Sequence, residues 1–254
     1  RCSSSAWRTV DGDAPRVTAT AAATRPMRAT WPGRCYAVPV AHLYAGTSGF
    51  AYAQWKPSFY PPDLGSGKFL EYYSRRLNSV EINYTFRRLA ASATLEKWVT
   101  ATPAEFLFAL KAHMRITHIL RLKDAQPFTE VFLRSIDPLR ATRRLGPVLF
   151  QLPPGQRADL PLLADFLAGL PNDIRFTFEF RHESWLAEPV YQLLEQHGVS
   201  LCLAESEKLE IPRVITAGFV YFRLRKSEYS QQERREIRAS AEKLLAEGKD
   251  VFVY

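Results

Sequence analysis

Apolar and polar residues alternate most regularly between residues 175 and 181. Phenylalanine occupies positions 176, 178 and 180, with Thr177, Glu179 and Arg181 between and after them. Because successive strand residues point to opposite faces, the pattern predicts a strand with one aromatic face and one polar, charged face. A helical pattern follows at once, from a Ser184 cap to Gly198. A strand followed by a helix predicts one unit of a parallel sheet that is buried on both faces. Buried charged groups there must form ion pairs or belong to a functional site, because burying an unpaired charge is costly.

The same unit recurs along the chain. The predicted strands cover residues 43–46, 79–86, 105–112, 146–152, 175–181, 200–205, 219–225 and 250–254. Predicted helices begin at Ser66, Ser92, Pro127, Asp159, Ser184 and Ser230, and residues 113–118 are predicted to form a short polar loop. Eight alternating units predict a TIM-barrel-like (β/α)8 barrel, with a doubly wound open sheet as the alternative. No glycine-rich nucleotide fingerprint follows the first strand.

Composition divides the chain into two parts. Residues 1–40 are rich in Ala, Thr, Ser and Arg without a sustained period, which predicts a disordered N-terminal extension. Residues 41–254 are predicted to form a single barrel domain. The first 40 residues hold six arginines and two aspartates, so they supply +4 of the net charge of +8. The remaining +4 on the barrel is only weak support for nucleic-acid binding.

The length of the apolar runs and the cysteine content bear on membrane association and cellular location. No apolar run is long enough to span a membrane, so we predict no membrane partner. Cys2, Cys35 and Cys202 are too scattered for a disulfide framework or a metal pair. This usage fits a reducing compartment, and a cytoplasmic location is predicted.

A barrel brings polar residues at the ends of its strands together at one mouth. The polar faces of the predicted strands contribute Glu81, Asn83, Lys111, Gln151, Glu179, Arg181, Glu205 and Arg223. One interpretation is a nearly neutral ion-pair network that fixes the strand register. The other is a pocket for a polar ligand, which six charged residues favour because register alone needs fewer.

The pocket interpretation assigns roles by side-chain chemistry. Glu179, Lys111 and Glu81 are the predicted catalytic residues. Glu179 or Glu81 would move a proton, and Lys111 would hold the anion together with Arg181 and Arg223. The predicted ligand-binding residues are Thr47, Ser48, Asn83, Arg181, His182, Trp185, Glu205 and Arg223. Trp185 is a candidate for stacking on a sugar or base, with packing in the core as the equal alternative. The five histidines lack metal-ligand spacing, so neither a metal nor another cofactor is predicted.

Several ordered motifs resemble the YecE-like family, also called domain of unknown function 72. They are residues 46–50, 80–86, 108–111 with 116–118, 146–154, 178–185 and 219–224. The resemblance spans Tyr44 to Tyr254 and implies a TIM-barrel-like fold, but no reaction. The family usually shows a His-Gly pair where this chain has Arg225 and Lys226. It also implies a closing helix after strand eight, so with Tyr254 as the last residue we expect the barrel to lack that helix and to be truncated at strand eight.

Three functional hypotheses follow. The first is an enzyme or enzyme-like barrel that binds a polar or anionic small molecule at the C-terminal mouth and carries out acid/base chemistry. The second is a barrel that binds or processes nucleic acid, with a basic groove leading to the mouth. The third is a non-catalytic binding module. The oligomeric state stays open.

Overall fold

The computed structural model describes residues 40–254, in which eight parallel strands alternate with helices. The strands are β1 (Leu43–Ala45), β2 (Ser79–Ile82), β3 (Leu107–Lys111), β4 (Leu145–Gln151), β5 (Phe176–Glu179), β6 (Ser200–Ala204), β7 (Phe219–Arg223) and β8 (Asp250–Val253). The helices are α1 (Phe69–Ser74), α2 (Ser92–Thr100), α3 (Gln126–Ser135), α4 (Asp137–Ala141), α5 (Leu160–Ala168), α6 (Glu188–Gln196) and α7 (Gln231–Ala246). The sheet order is β1-β8-β7-β6-β5-β4-β3-β2. The predicted TIM-barrel-like fold is therefore confirmed.

The barrel is completed where β1 meets β2, and side chains take part in that junction. The Asn78 side chain accepts a hydrogen bond from the Ala45 amide (2.8 Å) and donates one to the Leu43 carbonyl (2.7 Å). A β-carbon on Gly46 would lie 2.1 Å from the Ser79 carbonyl oxygen. Only glycine allows the two strands to approach this closely at that point.

Most residues of β2 to β7 are buried on both faces, as the alternation predicted, whereas β1 is partly exposed at Leu43. The phenylalanines of β5 face outward and pack with residues of the helices; Phe178, for example, contacts Phe150 and Phe166. Thr177 and Glu179 of the same strand face the barrel interior. A separate apolar cluster fills that interior and consists of Leu107, Ala109, Leu149, Cys202, Ala204, Phe219, Tyr221, Phe252 and Tyr254. The inward-facing charged side chains therefore lie next to this interior apolar cluster, at the carboxyl ends of the strands.

Several predicted strands are longer than the observed ones, among them β3, β5 and β7. Two further predicted elements are wrong in a way that changes the local structure. The second strand ends at Ile82 rather than Phe86, and residues 84–86 form a 3-10 turn. The Thr85 hydroxyl stabilises this turn by donating to the Lys111 carbonyl at 2.7 Å. The single helix predicted over 127–140 is interrupted at Ile136, between α3 and α4. Pro138 cannot donate a backbone hydrogen bond to the preceding turn, which explains the interruption.

The predicted helix caps are partly confirmed. Asp159 accepts from the Leu162 amide, and Ser230 with Glu233 forms the predicted capping box of α7. Ser66 and Ser92 lie inside their helical turns instead of capping them, and the helix predicted from Ser184 begins at Glu188. Residues 115–119, predicted as loop, form a wide helical turn.

Three further predictions concern the N-terminal residues, the membrane and the cellular compartment. The disorder predicted for residues 1–40 falls almost entirely outside the described residues, so it stays a prediction. None of the helices within residues 40–254 is both long enough and apolar enough to cross a membrane. The cytoplasmic location stays a prediction.

Candidate functional site

A buried ion cluster lies at the carboxyl ends of β2, β5 and β7. Its centre is Arg223, whose two terminal nitrogens lie 2.7 Å from a Glu81 oxygen and 2.5 Å from a Glu179 oxygen. The three side chains are 8%, 0% and 3% exposed, respectively. Parallel pairing places these strand ends at one level, so one guanidinium joins strands that lie far apart in the sequence.

Protein groups surround the carboxylate of Glu81. One oxygen accepts from the Ser48 hydroxyl (2.7 Å), from the side-chain amide of Asn83 (3.3 Å) and from the Arg223 guanidinium. The other accepts from the Tyr221 hydroxyl at 2.8 Å. Four donors leave this buried charge well compensated and fix its position.

Glu179 is held in the same way by four donor side chains. It accepts from Arg223, from the Gln151 amide (2.9 Å), from Arg181 (3.0 Å) and from Arg225 (3.0 and 3.2 Å). Burial by itself raises the pKa of this carboxyl, but Arg223 and Arg225 outweigh burial and hold its pKa at about 2. Glu179 is therefore ionised throughout the physiological range.

Lys111 stands at the edge of the cluster. Its amine donates to the side-chain oxygen of Gln151 (Oε1) at 2.8 Å and lies 4.0 Å from the centre of the Phe86 ring. Partial burial, followed by repulsion from Arg223, lowers its pKa from 10.5 to about 8, although Glu179 and Glu81 act in the opposite direction. Contact with the ring also favours the charged form. Lys111 can therefore lose its proton near pH 8.

The cluster has more positive than negative charge. Arg223, Arg181, Arg225 and Lys111 surround two carboxylates, Glu81 and Glu179. The side chains of Arg181 and Arg225 are each 37% exposed, whereas both carboxylates are buried. The accessible part of the mouth therefore includes two guanidinium groups, with Glu205 as the partly exposed carboxylate beside them.

The structure brings seven of the eleven predicted site residues into this cluster. They are Ser48, Glu81, Asn83, Lys111, Glu179, Arg181 and Arg223. Glu205 lies beside it and positions the loop after β7 by accepting from the Arg225 amide (2.7 Å) and the Tyr229 hydroxyl.

The other three predicted residues make different contacts. Thr47 bonds to Gly49 and Tyr73, and His182 bonds to Ser184 within its own turn. Trp185 is fully buried, stacks on Phe180 at 4.8 Å and donates to the Gln156 carbonyl at 2.8 Å. This placement agrees with the core-packing alternative for the tryptophan. The predicted roles of Thr47, His182 and Trp185 in ligand binding have no support from these contacts.

Three hydrogen-bonding contributors to the cluster were missing from the predicted site: Arg225, Tyr221 and Gln151. Arg225 and Tyr221 flank Arg223 at a spacing of two, so strand periodicity could have identified both. Gln151 was recognised as inward-facing but was not given a role, although it links Lys111 to Glu179. Phe86 could not have been found this way because it lies in the 3-10 turn after β2.

Other possible sites are less suitable. Within residues 40–254, no group of three or more His, Cys, Asp or Glu side chains is arranged to hold a metal ion. A recess of about 310 Å³ lies at the opposite end of the barrel, beside Asp173, Arg175 and His197. Asp173 is paired with Arg140 there, and Arg175 with Asp250. This recess therefore offers less unpaired charge than the mouth.

Known proteins place the chain in a group defined by sequence and fold. It is 30% identical over 157 residues to UPF0759 protein YunF of Bacillus subtilis, covering 59% of this chain and 54% of that protein. It is 30% identical over 151 residues to UPF0759 protein YecE of Escherichia coli K12, covering 57% and 54%. The chain thus spans about half the length of the curated relatives it matches.

Solved structures agree with the architecture. A DUF72 family protein from Thermotoga maritima aligns with a TM-score of 0.74 and 28% identity, covering 84% of this chain and 91% of that one. A DUF72 family protein from Enterococcus faecalis aligns with a TM-score of 0.66 at 19% identity, over 84% and 89%, and supports the fold alone. The family model described as "Protein of unknown function DUF72" matches residues 44–254. The chain therefore belongs to the DUF72 family, as the YecE-like motifs predicted.

Proposed function

We propose that the barrel mouth binds a small polar molecule bearing a carboxylate or phosphate and that Lys111 exchanges a proton with it. The observation that carries the proposal is the charge arrangement: four cations surround two carboxylates that are buried and already hydrogen-bonded. An anionic ligand would restore the balance.

The two half-exposed arginines are the groups best suited to hold the anion. Arg181 uses its Nε and Arg225 one terminal nitrogen to contact Glu179. Their other donors make no hydrogen bond to an acceptor within residues 40–254. A guanidinium fork matches the geometry of a carboxylate or phosphate. Glu179 would then orient both forks rather than react.

Lys111 is a better proton carrier than either carboxylate. The low pKa of Glu179 makes it a weak base, and Glu81 already accepts four hydrogen bonds. With a pKa of about 8, Lys111 can give up and regain a proton near neutral pH. Of the three predicted catalytic residues, we therefore assign proton transfer to Lys111 and positioning to Glu81 and Glu179.

Isothermal calorimetry with inorganic phosphate tests the anion site. We expect saturable binding by the native chain and a loss of about tenfold or more in affinity for the Arg181→Ala/Arg225→Ala variant, since each charge-assisted hydrogen bond contributes about 1.5–3 kcal/mol. Arg76→Ala/Lys97→Ala, which removes the same charge from the ends of α1 and α2, is the matched control and should bind as the native chain does.

Two outcomes would reject this proposal. One is the absence of saturable phosphate or small-carboxylate binding by a folded native chain. The other is an equal loss in the control variant, which would show that affinity follows overall charge rather than the two forks. Unchanged binding with Lys111→Met is acceptable for the anion site, but unchanged turnover of an identified substrate would remove the proton-transfer role.

A further inference from the structure

A group of exposed cations, here called the basic rim, lies on the loops that follow β2 and β3. It consists of Arg87, Arg88, Arg115, Arg121 and Lys123. Residues 83–91 and 112–125 hold these five cations and one carboxylate, Asp124. Their net charge of +4 equals that of residues 41–254 as a whole. The charge of the barrel is thus concentrated beside one part of its mouth.

The cations of the basic rim differ from many on the helices in their partners. Exposed helical cations often pair with carboxylates, as in Lys68–Glu71, Arg134–Glu130 and Arg238–Glu242. No cation of the basic rim lies within ion-pair distance of a carboxylate in the part of the chain that the structure describes. Arg115 contacts the Phe128 ring, with 4.9 Å to its centroid, but no carboxylate neutralises any of the five cations among residues 40–254. Like charges on neighbouring loops without carboxylate partners repel one another, and a bound polyanion would relieve that repulsion.

Exposed apolar side chains occur on the same two loops. Tyr84, Leu89 and Ile119 are 46%, 37% and 63% exposed. They are three of the seven large apolar side chains that are exposed among residues 40–254, although the two loops are a small part of that range. An exposed aromatic ring among unpaired cations is the combination that single-stranded nucleic acid requires, because bases stack on rings while cations contact phosphates.

The basic rim is continuous with the mouth. The Phe86 ring contacts His118 of the neighbouring loop with centroids 5.0 Å apart, and Lys111 lies over Phe86. The side chain of Gln156, on the loop that follows β4, donates to the Arg121 carbonyl at 3.0 Å. This bond connects the loop after β4 to the loop after β3. The loops of the basic rim are therefore joined to the mouth through Phe86.

We propose that the basic rim binds single-stranded nucleic acid, with its cations on the phosphates and Tyr84 stacking on a base. A strand with unpaired bases fits better than a duplex, because a duplex hides its base faces from Tyr84. The inference does not depend on the proposed anion site: the rim can bind a strand whether or not the mouth binds a small anion.

Fluorescence anisotropy tests the proposal with labelled oligo-dT and oligo-U of roughly a dozen nucleotides. The native chain should bind both, and should bind duplex DNA of equal length more weakly. Arg87→Ala/Arg88→Ala should weaken binding by about tenfold and should reduce the slope of log affinity against log salt by about 1.4, because each phosphate contact to a single strand contributes about 0.7. Tyr84→Ala should weaken binding by about tenfold with the salt slope unchanged.

The control is the Arg76→Ala/Lys97→Ala variant, which removes the same charge far from the mouth. The proposal is overturned if this control loses as much affinity as Arg87→Ala/Arg88→Ala, if duplex binds as tightly as the single strands, or if Tyr84→Ala has no effect. Vesicles containing an anionic phospholipid provide a competing arm. Binding to them in preference to the oligonucleotides would replace nucleic acid by a membrane surface as the partner.

The two proposals fail independently. Arg181→Ala/Arg225→Ala should weaken phosphate binding by about tenfold or more while leaving most of the oligonucleotide affinity. Arg87→Ala/Arg88→Ala should weaken oligonucleotide binding by about tenfold while leaving phosphate binding unchanged. Each variant is first checked for a native-like thermal transition.

Discussion

The two ends of the barrel both carry arginine–carboxylate contacts, but only one of them has unbalanced charge. At the amino end, Arg175 pairs with Asp250 at 2.9 Å, and its guanidinium lies 4.8 Å from the centre of the Phe252 ring. Asp250 also accepts from the His42 amide at 2.9 Å. One cation meets one anion there, and the pair is partly exposed beside an aromatic ring and the backbone.

At the carboxyl end, the central Arg223 bridges two carboxylates, and three further cations surround them. Joining β5 to β8 requires only a balanced pair, as the amino end demonstrates. The excess charge at the other end therefore needs a different explanation, and an anionic ligand supplies one. The Arg175–Asp250 pair therefore stabilises the barrel, whereas the additional cations around Glu81 and Glu179 are available to bind a ligand.

The largest expected effect concerns the centre of the mouth. Arg223→Met leaves Glu81 and Glu179 buried with fewer partners, so we expect the free energy of unfolding to fall by about 3–5 kcal/mol. Arg175→Met should cost about 1 kcal/mol, because its ion pair is about one-third exposed and solvent screens it. Urea unfolding monitored by tryptophan fluorescence measures both.

A combined variant distinguishes lost pairing from lost packing. Adding Glu81→Gln and Glu179→Gln to Arg223→Met removes the uncompensated charges and should recover a substantial part of the stability. If the triple variant is no more stable than Arg223→Met, the cost arises from packing, and the contrast in electrostatics between the two ends is wrong.

The same contrast shows what the sequence can and cannot predict. Alternation with a period of two identified Glu179 on the inner face of β5 and Glu81 on that of β2, because parallel strands impose that geometry. The same alternation extends to Arg181, which lies two residues beyond the end of β5. It could not show that Arg223 joins Glu81 to Glu179, since the two carboxylates come from strands separated by about a hundred residues. Such a contact depends on closure of the barrel.

Loop residues were less predictable for a different physical reason. Asn83 was assigned to a strand, yet it precedes the 3-10 turn at residues 84–86, where side-chain direction no longer alternates. Trp185 was assigned by its chemistry, but its indole N–H finds a carbonyl partner in the core. A side chain outside regular structure takes its position from tertiary contacts, which local pattern does not encode.

A smaller effect concerns acid stability at the mouth. The pKa of Glu179 is about 2 in the folded chain against an ordinary value of 4.5, so the unfolded chain binds more protons between these values. The stabilisation is complete above about pH 4.5 and is lost as the pH falls through about 2. Glu179→Gln should therefore flatten the decline of unfolding free energy on acidification, measured by urea titrations across that window. Glu130→Gln, an exposed site on α3, provides the matched control. Equal slopes in the native chain and Glu179→Gln would show that the arginines do not hold Glu179 ionised.

The smallest expected effect concerns Lys111. Its pKa of about 8 lies below the ordinary 10.5, so the unfolded chain binds more protons between these values and the stability contributed by this group rises with pH across that window. The more direct measurement is chemical. Because the neutral amine reacts, acetylation of Lys111 followed by mass spectrometry should show a rate with a midpoint near pH 8, with Lys97 on α2 as the internal reference. Phosphate bound at Arg181 and Arg225 should raise the midpoint, since an anion favours the charged amine. A native-chain midpoint near 10.5 would remove Lys111 as the proton carrier, whereas a midpoint near 8 that phosphate does not shift would separate its proton transfer from the anion site.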